Sequence, residues 1–165
     1  MRKKFLVLAV LTAMVVTGVA LVLVSSGGAS PQAKAPQRTI YLTAVEWKGS
    51  ANVADEAFPT EALPEGGGYE LIAPDADGKW NVETYRFDSA VVVAYQGERV
   101  TLNVFGVNAK FHDITMPDFN KAFRVERGKL STVSFKVNKV GIFPIICITH
   151  QPSHRADLVV LPRPS

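Results

Sequence analysis

The sequence predicts an all-β fold, a sandwich of two packed sheets behind an N-terminal hydrophobic segment. Three features carry that expectation. From Trp80 onward, short runs alternate apolar and polar residues, with turn formers roughly every 8–12 residues. No long amphipathic helix interrupts these runs after the N-terminus. The 165 residues suffice for one domain with a proper core and not for two.

The N-terminal segment opens with Arg2, Lys3 and Lys4, followed by an uncharged run from Phe5 to Val24 and the small, polar run Ser25 to Ser30. A basic start, an apolar core and small residues beyond it are the marks of an export signal, so the rest of the chain is expected outside the cytoplasm. The apolar run is also long enough to span a bilayer as a helix, basic end inside. Residues 1–30 are therefore read as a signal peptide or a membrane anchor, and both readings stay open. No cysteine follows the run, which excludes a lipid-modified N-terminal cysteine. The net charge of +3 comes entirely from Arg2, Lys3 and Lys4, because from residue 5 onward 15 basic residues face 15 acidic ones. No basic stripe suited to nucleic acid remains.

Residues 31–38 read as a polar tether, with the folded domain expected over 39–165. Thr39 to Lys48 sets Ile40, Leu42 and Ala44 against Tyr41, Thr43, Val45 and Trp47, which predicts a strand buried on both faces. Residues 49–79 carry Gly49-Ser50, Pro59, Pro64, Gly66-Gly67-Gly68, Pro74-Asp75 and Asp77-Gly78, a texture expected of a surface excursion. An excursion of that length is often functional or a partner contact, although no residue in it names a chemistry. Ala51 to Ala57 is compatible with one helical turn.

Strands are then expected at Asn81 to Phe87, Ala90 to Tyr95, Arg99 to Phe105 and Lys110 to Met116. Lys129 to Val137 is the cleanest of all, with Val133, Phe135 and Val137 inward and Thr132, Ser134 and Lys136 outward. Gly141 opens a strand leading to Cys147, and Ala156 to Leu161 closes the sheet. The total is seven or eight strands.

Cys147, His150 and His154 follow one another as Cys-x2-His-x3-His on a tight loop between the last two of these runs, and His112 lies upstream just after another. They include the only cysteine and all three histidines of the chain. A lone thiol in an oxidising compartment is vulnerable unless it is buried or bound to a metal. Soft and borderline ligands placed only where they can meet predict a metal site formed by His112, Cys147, His150 and His154, with copper the expected ion. Singly, each histidine would pass for a structural or surface residue. Zinc suits the same donors, but the Irving–Williams order favours copper wherever copper is present. Asp157 is a rival fourth ligand, better read as a solvated carboxylate at the start of the last strand, and Met116 is read as core.

Gln96-Gly97-Glu98-Arg99-Val100-Thr101-Leu102-Asn103-Val104, then His112, then Gly141-x-Phe143-x-x-x-Cys147-x-x-His150, resembles the cupredoxin pattern. The resemblance covers Trp80 to Pro162, with Thr39 to Lys48 as a first strand. It implies a cupredoxin-like Greek-key β-sandwich with one copper ion at one end, cycling between Cu(I) and Cu(II), held by His112, Cys147 and His150. Where that family usually has an axial methionine, this chain has His154. Asp113 stands where many cupredoxins have an asparagine supporting the thiolate. His112 to Phe119 is also similar to the copper domain of cytochrome oxidase subunit II, but the second bridging cysteine of a binuclear centre is absent. The loop is similar as well to nitrosocyanin, which carries a carboxylate in place of His112 and one more residue between its histidines.

The resemblance implies electron transfer with a redox partner protein. A nitrosocyanin-like enzyme or small-ligand binder, taking a molecule such as nitric oxide, is one alternative, and a copper delivery or storage module is another. No Ser/His/Asp set or carboxylate pair argues for a hydrolase, since every histidine is committed to the proposed site.

Overall fold

The computed structural model describes residues 35–164. The segment read as signal or anchor (1–30) and most of the tether lie outside the described residues. Among the described residues, no helix is long and apolar enough to cross a membrane.

Ten strands form two five-stranded sheets. In chain order they are β1 (Gln37–Asn52), β2 (Tyr69–Ile72), β3 (Lys79–Asp88), β4 (Val91–Tyr95) and β5 (Arg99–Gly106). Then come β6 (Phe111–Met116), a 3-10 turn (Pro117–Phe119), β7 (Lys121–Glu126), β8 (Leu130–Lys136), β9 (Gly141–Cys147) and β10 (Arg155–Leu161). The first sheet runs β2-β3-β1-β5-β8 and the second β4-β10-β9-β6-β7. The chain passes between the sheets at β3–β4, β4–β5, β5–β6, β7–β8 and β8–β9, so it winds around the core instead of completing one sheet before the other. This is a β-sandwich of two sheets, as the sequence predicts.

The core follows from period-2 alternation. Ile40, Leu42 and Ala44 of β1, Val100, Leu102 and Val104 of β5, Ile114 and Met116 of β6, and Ala156, Leu158 and Val160 of β10 face one another between the sheets, all buried. Removing a side chain such as Leu102 or Leu158 from water contributes about 1.5–3 kcal/mol each. Phe119, a partly buried residue of the 3-10 turn, packs against Phe135 and Phe143 at ring separations of 4.5 and 5.2 Å. Arg38 reaches Glu98 through two hydrogen bonds of 2.6 and 3.0 Å, tying the start of β1 to the turn before β5.

Three expectations require correction. The strand count is ten, because β2 and β7 were not anticipated. Both lie at sheet edges, where one flank has no partner and turn formers or charges weaken the alternation. β1 is longer than 39–48 because its first half pairs in parallel with β5 (Gln37↔Arg99 to Ala44↔Gly106) and its second half antiparallel with β3 (Thr43↔Asp88 to Asn52↔Lys79). Nor is that strand buried on both faces: Tyr41 and Trp47 are 70% and 52% exposed, since nothing covers the outer side of its sheet there. Ala51 to Ala57 does close the single turn expected, on the Asn52 carbonyl, which accepts from the Asp55 and Glu56 amides at 2.9 and 2.8 Å.

Candidate metal centre

The pleat of the second sheet aims three of the four side chains inward. His112 shares the inner face of β6 with Ile114 and Met116. Ile114 sits opposite Cys147 in the β6–β9 ladder, so the thiol projects into the same space two residues along from His112. His154 continues the inward alternation of Ala156, Leu158 and Val160 by one step beyond β10. All three are buried, at 0% exposure. His150 comes from the β9–β10 loop and alone retains partial contact with solvent.

One donor atom from each of His112, Cys147, His150 and His154 lies within 4.8 Å of every other. His150 Nδ1 is 3.4 Å from Cys147 Sγ, and Thr149 Oγ1 stands 3.3 Å from both. The His112 and His154 rings meet edge to face at 4.8 Å and 89°. His112 Nε2 contacts the Asn108 carbonyl at 3.1 Å. As donor there, it leaves Nδ1 as the ring's unprotonated nitrogen.

Among the described residues, the buried polar side-chain atoms without a hydrogen-bond partner are His112 Nδ1, His154 Nδ1 and His154 Nε2. Each such group costs on the order of 1–3 kcal/mol if nothing meets it. Their concentration at one point beside a buried thiol is what a bound cation would satisfy, and the cluster can hold one metal ion. Burial supplies the right protonation state as well. Desolvation, followed by the neighbouring histidines, pushes His154 down to about 3. Desolvation also lowers His112 and His150. The rings are therefore neutral near pH ~7 and present lone pairs to a metal.

The loop carrying these groups is held by main-chain bonds. The Cys147 amide donates to the His154 carbonyl (3.0 Å), the Ile148 amide to the Asp113 carbonyl (2.9 Å) and the His154 amide to the His150 carbonyl (3.0 Å). Gln151 Nε2 donates to the carbonyls of Cys147 (2.6 Å) and His154 (3.2 Å). The excursion after β1 returns to grip the same loop. Gly68 donates to the Gln151 carbonyl and Gln151 to the Gly66 carbonyl, each at 2.9 Å, while Ser153 Oγ donates to the Gly68 carbonyl at 2.6 Å. Only glycine permits this approach. A Cβ on Gly66 would lie 2.5 Å from the Gln151 oxygen, and one on Gly68 would lie 2.5 Å from Ser153 Oγ. Gly66 and Gly67 also hold φ of +118° and +74°.

The other sheet closes the site. Tyr85 of β3 lies flat on His150, with centroids 3.7 Å apart and planes 1° from parallel. Phe87, two residues on and facing the same way, packs on His154 at 4.1 Å. Tyr85, Phe87 and the glycine clasp were not picked out by sequence reasoning. Only the Gly66–Gly68 run left a visible trace there, and that trace said turn.

The remaining residues singled out from the sequence also have definite places. Asp157 bonds Arg155 on the surface, at 3.0 and 3.2 Å, away from the cluster. Asp113 turns outward to Arg124 through two bonds of 2.7 Å, and that guanidinium holds its carboxyl below the usual range. It serves the site through its backbone carbonyl alone. Met116 is core.

No protein-family model and no curated protein matches the sequence. Among solved structures the chain is similar to a heme-copper terminal oxidase dimer seen by cryo-EM, at 15% identity over 46% of this chain with a TM-score of 0.40. It spans about half the length of that oxidase chain, 56%. It is similar to the copper nitrite reductase of Nitrosomonas europaea, at 16% identity over 77% of this chain and 42% of that one, TM-score 0.49. It is similar also to auracyanin of Roseiflexus castenholzii, at 13% identity over 47% of this chain and 88% of that one, TM-score 0.39.

Proposed function

We propose that this protein binds one copper ion through His112, Cys147, His150 and His154 and carries electrons outside the cytoplasm, with its N-terminal segment as export signal or anchor. The observation that carries this reading is the set of three buried, unpartnered imidazole nitrogens gathered beside the Cys147 thiol. A thiolate with three imidazoles suits copper by ligand softness and by the Irving–Williams order. Bound copper would supply a one-electron couple at a fixed position.

The chain's own part is to hold the donors still and admit electrons at one edge. His112 and Cys147 rest on strands of a packed sandwich and His154 directly precedes one, a framework that resists rearrangement when charge changes. His150 is the ligand nearest solvent, and with Tyr85, Thr149, Ala109, Lys110 and Phe111 it borders a shallow surface depression where a redox partner protein can approach. The burial of Cys147, His112 and His154 also speaks for an electron carrier over the alternatives. A small-ligand binder needs a free coordination position, whereas four donor side chains already converge on this one point. A delivery module needs an accessible thiolate, and Cys147 is sealed from water.

With an imidazole at the fourth position in place of a thioether, Cu(II) is favoured, the potential is lowered, and the expected colour is green or red. Absorption and electron paramagnetic resonance spectra of the copper-loaded protein test the reading. A thiolate-to-copper charge-transfer band that disappears in Cys147→Ser supports it. Copper binding without such a band refutes it.

A further inference from the structure

Inward-facing positions of β1 read Ile40, Leu42, Ala44 and then Glu46. The apolar pattern breaks where the strand pairs with Tyr85, the residue stacked on His150, and Glu46 is only 8% exposed. A carboxylate buried there is a poor core residue, so its partners indicate its purpose. It stands directly opposite Tyr85 in the β1–β3 ladder, and the Tyr85 hydroxyl donates to its Oε1 at 2.7 Å. Lys48 Nζ approaches the same oxygen at 3.1 Å while bonding Glu83 at 2.7 Å.

The main chain of residue 46 has a second role. Its amide donates to Asn108 Oδ1 at 2.8 Å, and Asn108 Nδ2 donates back to its carbonyl at 2.7 Å. The carbonyl of Asn108 is in turn the partner of His112 Nε2 at 3.1 Å. From one strand position, two lines of contact thus reach two different imidazoles. One runs through a phenol to His150, the other through a carboxamide residue to His112.

We propose that Glu46 and Tyr85 are positioning residues for the metal centre: the Glu46 carboxylate anchors the Tyr85 hydroxyl, which sets the plane on which the His150 ring is held, while Asn108, clasped by the backbone of residue 46, holds the His112 ring. The inference rests on the copper reading for the identity of the ion, but not for the arrangement of the side chains.

The geometry favours this over simple packing. His150 is the one ligand on an irregular loop, and its nearest side-chain polar contacts, Cys147 Sγ and Thr149 Oγ1, lie on the side of its ring that faces the ion. The pleat that fixes His112, Cys147 and His154 does nothing for it. A ring stacked within 1° of parallel supplies the missing constraint. A phenol bonded to a buried carboxylate cannot rotate or slide freely, which makes it a better wall than a phenylalanine. Supports of this kind typically change metal affinity about 10–100-fold when removed.

The test compares the wild-type full chain with Tyr85→Leu, Tyr85→Phe and Glu46→Gln. Two quantities are read: the ring-proton shifts of His150 in the copper-free protein by nuclear magnetic resonance, and the copper dissociation constant by competition with a chelator. Tyr85→Leu should abolish the ring-current shift of His150 and weaken copper binding about 10–100-fold. Tyr85→Phe and Glu46→Gln, which keep the ring and disturb only its anchor, should shift the His150 signals part of the way and weaken binding less than Tyr85→Leu. If the anchor variants match the wild type in both quantities, the role assigned to Glu46 is overturned. If Tyr85→Leu also matches, so is that of Tyr85. Tyr85→Phe changes a single oxygen and guards against misfolding as the cause. A wild-type protein without the thiolate-to-copper band overturns the copper reading, yet the His150 shifts of the copper-free variants still decide the positioning roles.

Discussion

Acid should destabilise the copper-free protein well above the range where carboxylates titrate. Burial holds His154 at about 3 against an ordinary value of 6.5. Below 6.5 the unfolded chain takes up a proton at this position while the native state does not, so stability is lost as pH falls across the window between the two values. One pK unit corresponds to about 1.36 kcal/mol, so the loss from His154 alone at pH ~5 is about 2 kcal/mol. His112 and His150 are lowered in the same sense and add to it. The depressed carboxylates Glu98 and Asp113 act only below their ordinary values of 4.5 and 3.8, so the upper part of the window isolates the histidines. Urea unfolding of the chelator-treated protein at pH ~7.5 and pH ~5 measures the difference. In His154→Phe, which keeps the bulk but cannot titrate, the pH dependence should shrink by about 2 kcal/mol over that interval. A stability that stays flat over this interval, or a slope unaltered by the substitution, would refute the assignment of His154 as a buried neutral imidazole.

Other outcomes follow from the same geometry. His154→Met, placing a thioether where cupredoxins usually have one, should move the copper spectrum toward blue and raise the potential; an unchanged spectrum removes that imidazole from the ligand set. Gly68→Ala places a methyl 2.8 Å from both the Gln151 and His150 carbonyl oxygens, so it should cost about 1–3 kcal/mol in thermal or urea unfolding and weaken copper binding through the displaced loop. Phe87→Ala removes a fully buried ring that also packs on His154, with an expected loss of about 3–5 kcal/mol in urea unfolding. Copper added to the chelator-treated protein should raise the unfolding temperature in a concentration-dependent way, as any ligand of the native state does, and Cys147→Ser should reduce that rise.

The strands easiest to read from the sequence were those with one buried face and an unbroken alternation. In β5 and β8, alternation of Val100, Leu102 and Val104, and of Val133 and Phe135, reports the buried face directly because side chains on a strand switch sides at every step. β2 has only four residues and β7 is broken by Lys121, Arg124 and Glu126, which is why these two escaped notice while β4 and β8, also at sheet edges, did not. For β1 the composition misled. Tyr41 and Trp47 look like core residues, but whether a second layer covers them depends on the other sheet, which lies on the opposite side.

The amino-acid order alone determined which groups could bind a metal, because a single cysteine and three histidines leave few combinations and their spacing put three of them on one turn of chain. It could not decide whether His154 points inward, since that depends on the pleat of β10 extending one residue past its last ladder pair. Nor could it reveal Tyr85 stacked on His150, Glu46 behind the phenol, or a glycine run closing on the metal-loop backbone. Those contacts join positions 39 to 85 residues apart, and nothing local records them. They exist only once two sheets have packed face to face and brought β1 and β3 over the candidate ligands of the other layer.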